Sequence, residues 1–133
     1  MKEADVFFDT NVLLYLLSAD SIKADCAEDL VASGGIISVQ VLNEFTSVAL
    51  KKLRMPWAEI SDVLAQVRVV CPVVDLTLAT HDRASQVAER YGLSFYDALI
   101  VAAALIAGCT TLYSEDMQDG MVIERQLTIR NPF

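Results

Sequence analysis

Cysteine and histidine are scarce in this chain of 133 residues, which holds three cysteines, Cys26, Cys71 and Cys109, and one histidine, His81. The odd count and the lack of C-x-x-C spacing argue against a disulfide framework and a zinc site, and fit a reducing compartment. A lone histidine builds no His-based triad or pair, so His81 reads as a helix-surface residue. Neither a P-loop nor a G-x-G-x-x-G motif occurs, which removes the usual nucleotide-binding readings. Basic residues are few: ten against eighteen acidic ones give a net charge of −8, so a generally basic surface for gripping nucleic acid is missing. The longest uncharged apolar stretch, Ala98–Cys109, has 12 residues, against roughly 18 to 20 needed to span a bilayer, so no membrane segment is expected. Glu3, Asp5 and Asp9 are unlike the basic start of a signal peptide, and a cytoplasmic location is expected. Repeats, low-complexity tracts and long linkers are absent, and with 54% hydrophobic residues one domain over residues 1–133 is expected.

What is present is an alternation of strand and helix signals. The run DVFFD, Asp5 to Asp9, reads as a buried parallel strand, and VLLYLL after it can begin a helix. Ser21 is a candidate cap for a helix over Ile22–Ala32, ended by Gly34 and Gly35, and GIIS is a second strand. Ser38 can cap a helix whose apolar residues Val41, Leu42, Phe45, Val48, Ala49 and Leu53 recur at helical spacing to about Arg54. Pro56 opens another, with Trp57, Ile60, Val63, Leu64 and Val67 on its apolar side. Val69–Leu76, broken by Pro72, is expected as a third strand. Thr77 caps a helix to Tyr91, ended by Gly92. Ser94 and Asp97 have capping-box spacing before the apolar helix ALIVAAAL, TTLYS is a fourth strand, and Met121–Ile129 supplies an edge strand. This order predicts an α/β fold, a three-layer α/β/α sandwich around a mostly parallel sheet.

Asp9, Glu44, Asp97 and Asp116 each fall at a strand end or within the first turns of the helix that follows. In an open α/β sheet such positions share one edge, where ligands bind. Each has a plainer reading: Asp9 a turn acid, Glu44 a boundary glutamate, Asp97 a helix cap, Asp116 part of the solvated run SEDMQDG. Glu115 and Asp119 are second-tier acids of that run, and Ser114 can orient the site by hydrogen bonding. Four gathered carboxylates repel unless a cation joins them, and oxygen-only ligation selects Mg²⁺ or Mn²⁺, one or two ions, over Zn²⁺. Such an ion, by activating water and stabilising a leaving oxygen, would make the chain a phosphodiesterase. Lys51–Arg54 ends a helix, where cations favour the dipole, and is also a candidate grip on RNA phosphate.

The segments FFDTNVLLYLL, ISVQVLNEF, LSFYDALIVAAAL and LYSEDMQDG resemble the motifs of PIN-domain ribonucleases, specifically VapC-type toxins of toxin–antitoxin systems, over about Asp5–Ile129. The resemblance implies a Mg²⁺-dependent endoribonuclease, with Asp9, Glu44, Asp97 and Asp116 as the acids that hold metal and activate water. It implies Thr10, Asn11 and Ser114 as supporting positions, with Asp119 a weak further one. It also implies an RNA substrate, a homodimer, and a cognate VapB-like antitoxin whose basic segment covers the acidic groove. Within the nuclease class the alternative is a housekeeping RNA-processing enzyme. Outside it stand a non-catalytic acidic binding module and a phosphoacceptor signalling domain, the latter disfavoured because no lysine is read near the final strand ends.

Overall fold

A computed structural model describes residues 5–133, so that Glu3 of the acidic amino terminus lies outside the described residues. Strands and helices alternate: β1 (Val6–Phe8), α1 (Thr10–Leu14) continued by a 3-10 turn (Tyr15–Leu17), α2 (Ser21–Ser33), β2 (Ile37–Ser38), α3 (Val39–Lys51) and α4 (Trp57–Val70). There follow β3 (Val73–Val74), α5 (Leu78–Tyr91), α6 (Phe95–Ile106), β4 (Thr111–Tyr113), β5 (Val122–Ile123) and β6 (Leu127–Arg130). The main sheet has the order β1-β4-β6-β5, and β2 and β3 form a second parallel pair. A parallel bridge between Phe7 and Ile36 joins the two, with Phe8 N–H donating to Ile36 O at 3.0 Å. Among the described residues only β5 runs antiparallel, giving the expected mostly parallel sheet flanked by helices.

The strands are short and apolar because the parallel ladder is covered on both faces. Phe7, Phe8, Leu112 and Ile129 are fully buried in one hydrophobic cluster with Phe45 and Ile100. Helix α6 explains its uninterrupted apolar sequence: Ala98 to Leu105 are all buried, and α5 packs along it. Thr77 and Thr80 form a reciprocal capping box at the start of α5, and Gly92 closes it with φ 70°, a left-handed conformation that glycine adopts without a Cβ penalty. No helix of the described residues is long and apolar enough to cross a membrane.

Several boundaries differ from the sequence expectation, each for a local physical reason. Asp20, not Ser21, caps α2, its Oδ1 accepting from the N–H groups of Ile22 and Lys23. Helix α3 stops at Lys51 rather than near Arg54, whose φ of 52° cannot continue a helix. The strand expected over Val69–Leu76 shrinks to Val73–Val74, because α4 runs on to Val70 and Pro72 then bars further helix. Trp57, placed on the apolar side of α4, is 65% exposed in its first turn. The edge strand expected over Met121–Ile129 is a hairpin that turns at Glu124 and Arg125, both at positive φ. Its second arm, β6, lies inside the sheet and its first arm, β5, takes the edge.

Gly35 packs directly against Phe8, since a Cβ there would overlap the Phe8 ring. Gly35→Ala is expected to lower unfolding free energy by about 1–3 kcal/mol through overpacking, measured by urea denaturation.

Candidate acidic site at the carboxyl edge of the sheet

The parallel pairing of β1 with β4 sets Phe8 opposite Tyr113, so the next residues, Asp9 and Ser114, leave the sheet side by side. Asp9 N–H still donates to Tyr113 O at 3.0 Å, and its side chain turns into the protein, 3% exposed. There Oδ2 accepts from Ser114 Oγ at 2.7 Å and Asn11 Nδ2 at 3.3 Å, while Oδ1 accepts from Thr10 N–H at 2.7 Å as the N-cap of α1. Ser114 Oγ, fully buried, also accepts from the N–H groups of Asp116 and Met117, both at 3.2 Å. One hydroxyl thus folds the loop after β4 and fixes the buried carboxylate.

Glu44 arrives from α3, which Ser38 caps as expected, its hydroxyl accepting from Val41 N–H. Thr10 Oγ1 donates to its Oε1 at 2.8 Å, and Gln40 Nε2 to its Oε2 at 3.0 Å. Sequence reasoning missed Gln40; its signal is the spacing of four to Glu44, which puts both on one face of α3. Asp116 accepts from Asn11 Nδ2 at 3.1 Å, so the Asn11 amide bridges Asp9 and Asp116. Ser94 Oγ accepts from Asp97 N–H at 3.2 Å, completing the backbone half of the expected capping box.

Electrostatics ties the four acids together. Burial pushes Asp9 up to about 7, opposed by the Ser114 and Thr10 hydrogen bonds and reinforced by the charges of Asp97 and Glu44. Asp97 is raised by burial, opposed by Ser94 and reinforced by Glu44 and Asp116. Among the described residues no lysine or arginine pairs with any of the four; the ion pairs are Lys23–Glu115 and Arg83–Glu124. Two carboxyls, Asp9 and Asp97, whose proton affinity burial and neighbouring acids raise, with no cationic side chain among the described residues to offset them, fit a hard divalent ion. Among the described residues no three acidic, histidine or cysteine side chains converge for direct ligation of one ion. That separation suits an ion that keeps several of its waters, as Mg²⁺ does.

The structure separates the second-tier acids from this cluster. Asp119 Oδ1 accepts from Asn131 N–H at 2.8 Å and ties the loop to the chain after β6. Glu115 turns to Lys23 Nζ at 3.0 Å and to the Tyr15 hydroxyl, which hold its carboxyl below its ordinary range. Its backbone N–H meanwhile donates to Asn11 Oδ1 at 3.2 Å, completing the orientation of that amide. Lys23 corrects the expectation that no lysine approaches the last strands; it comes from α2, beyond the reach of sequence proximity, and is engaged by Glu115. His81 is exposed on α5 as expected, edge-on to Phe95. Lys51–Arg54 is exposed, with Lys51 the last residue of α3 and the other three beyond its end.

Two depressions open beside the acids. One, of about 330 Å³, is lined by Gln40, Asn43, Glu44, Ser47 and Tyr96. The other, of about 340 Å³, includes Asn11, Tyr15, Leu53 and Asp116.

A mostly parallel sheet flanked by helices, with acidic side chains at its carboxyl edge, defines an α/β protein whose candidate site lies where open sheets of this kind bind ligands. The chain belongs to the PIN domain family, whose model matches residues 6–118. No curated protein sequence matches it. Among solved structures it is similar to a toxin–antitoxin complex from Klebsiella pneumoniae, at 19% identity and a TM-score of 0.72, covering 96% of this chain and 98% of that one. It is also similar to VapC20 of Mycobacterium tuberculosis, a toxin that cleaves the sarcin–ricin loop, at 24% identity and a TM-score of 0.66, covering 84% and 89%. VapBC2 of Rickettsia felis, bound to a fragment of its promoter DNA, shares 20% identity at a TM-score of 0.65, covering 95% and 97%. The resemblance read from the four sequence segments is borne out.

The sign of the Asp9 shift predicts how the metal-free protein responds to pH. A carboxyl whose folded pKa is about 7 against an ordinary 3.8 binds its proton more tightly when folded. Stability in EDTA is therefore expected to fall as pH rises from about 4 to about 7, Asp97 acting in the same direction. Asp9→Asn should flatten much of that slope in thermal melts taken across the range, and an equally steep variant would contradict it.

Proposed function

We propose that this chain is a metal-dependent endoribonuclease, the toxin of a VapBC-type toxin–antitoxin pair. The observation that carries the reading is the buried Asp9 carboxylate, held by Ser114, Thr10 and Asn11 and surrounded by like charge, with no cationic side chain among the described residues paired with it. A divalent ion, Mg²⁺ or Mn²⁺, would supply a Lewis acid for the scissile phosphate and for an attacking water. Asp9, Asp97 and Asp116 would hold it, directly or through water, with Glu44 completing the set.

The chain's own groups have separable tasks in this reading. Ser114, Thr10 N–H and Asn11 fix the Asp9 oxygens. Thr10 and Gln40 clamp both oxygens of Glu44, leaving its remaining lone pairs to orient water or metal. Asp97 is raised in proton affinity by burial and by Glu44 and Asp116, so it is suited to accept a proton from an attacking water. Toxin–antitoxin assemblies among the similar structures support a VapB-like antitoxin as partner, and the charge of −8 favours a basic segment over the acidic edge. A homodimer and a cytoplasmic setting complete the proposal.

Purified, antitoxin-free protein is expected to cleave a mixed RNA pool with Mg²⁺ or Mn²⁺, and to stop on addition of EDTA or on Asp97→Asn, which should leave the fold intact by circular dichroism. Cleavage that persists in Asp97→Asn would remove that residue from the site; no cleavage by folded, metal-loaded wild type would favour a binding module. Gln40→Ala is expected to weaken Mn²⁺ binding by about tenfold, read by calorimetry, because Glu44 loses one of its two side-chain donors.

A further inference from the structure

Helix α6 begins with two aromatic residues immediately before Asp97, and neither is used by the core: Phe95 is 37% exposed and Tyr96 is 64% exposed. Their rings meet at 6.1 Å between centroids and an angle of 64°, and His81 from α5 braces Phe95 at 5.3 Å. Tyr96 lines the same depression as Glu44, together with Gln40, Asn43 and Ser47 of α3. An exposed aromatic face thus stands beside two of the proposed metal-site acids, alongside amide and hydroxyl groups that can both donate and accept hydrogen bonds.

We infer that this depression is a nucleobase subsite, in which Tyr96 stacks on an unpaired base of single-stranded RNA next to the bond being cut and Asn43 and Ser47 meet the base edge. The inference rests on the nuclease reading and specifies how the substrate is held. Charge supplies the second line of argument. With ten basic residues against eighteen acidic ones, and with Lys23 and Arg83 committed to ion pairs, the chain cannot rely on a wide cationic track for the RNA backbone. Stacking on an aromatic face does not depend on net charge, and it suits bases splayed out of a helix. The space of about 330 Å³ is of the size in which small ligands bind. His81 and Phe95 would keep Tyr96 from collapsing onto α5, leaving its face open.

The test separates binding from cleavage. Binding of a fluorescein-labelled, random-sequence single-stranded RNA is followed by anisotropy with Mg²⁺, in an Asp97→Asn background that prevents cutting. Cleavage is followed in parallel with Asp97 intact. Tyr96→Ala is expected to weaken RNA binding by about tenfold or more and to raise KM with little change in kcat, while Tyr96→Trp restores both. Because Tyr96 is exposed, both variants should melt with the wild type. Wild type that cuts RNA while Tyr96→Ala binds and cuts equally well would overturn the subsite and leave the nuclease reading standing. Tyr96-dependent RNA binding by a protein that cuts nothing would support the subsite and overturn the nuclease. A Tyr96→Ala protein with unchanged RNA affinity but a lower mass by light scattering would overturn it too, making the aromatic edge a contact between copies of the chain.

Discussion

A single buried carboxylate, Asp9, sets the terms for the rest of the site. The β1–β4 register delivers it beside Ser114, and three donors meet it inside the protein. Burial of an ionised carboxylate costs several kcal/mol, and each charge-assisted hydrogen bond returns about 1.5–3 kcal/mol. The Asp9 proton affinity, pushed up to about 7, shows that desolvation wins over those donors in the metal-free state. The neighbouring carboxylates add to the imbalance. A buried Asp9 with half-buried Glu44 and Asp97 nearby, and no basic side chain among the described residues paired with them, leaves a charge that a cation from outside would balance.

The remaining polar groups hold that arrangement open. Thr10 and Gln40 restrain both oxygens of Glu44, so the glutamate is not free to swing toward solvent. The Asn11 amide spans Asp9 and Asp116 and is itself fixed by Glu115 N–H. Lys23 and Tyr15 hold the Glu115 side chain, so that of two adjacent acids one faces the cluster and the other is neutralised. Among the described residues no buried side-chain polar atom lacks a partner. The network is therefore satisfied in hydrogen bonds and unsatisfied only in charge.

If it acts on RNA as proposed, an acidic chain of this kind would find its affinity for a polyanion in local chemistry. A divalent ion held at the carboxyl edge would invert the sign of the field where phosphate would sit, and the proposed aromatic face beside it would add attraction that does not depend on charge. The same acidic surface favours a basic partner segment. Substrate capture and inhibition would in this way draw on one electrostatic feature.

The sequence by itself determined the alternation of elements, the caps at Ser38, Thr77 and Ser94, and the buried helix α6, because these follow from local spacing and hydrogen-bonding chemistry. It also carried the family resemblance. Long-range contact decided the rest. Glu115 and Asp116 are adjacent acids of one run, and distant groups separate their roles: Tyr15 and Lys23, the latter 92 positions away, take Glu115, while Asn11 takes Asp116. Gln40 is a common residue on a helix flank until Glu44 is held across from Thr10. The hairpin of β5 and β6 reads as one strand until β4 draws its second arm inward, because pairing partners, not propensity, decide which strand is internal.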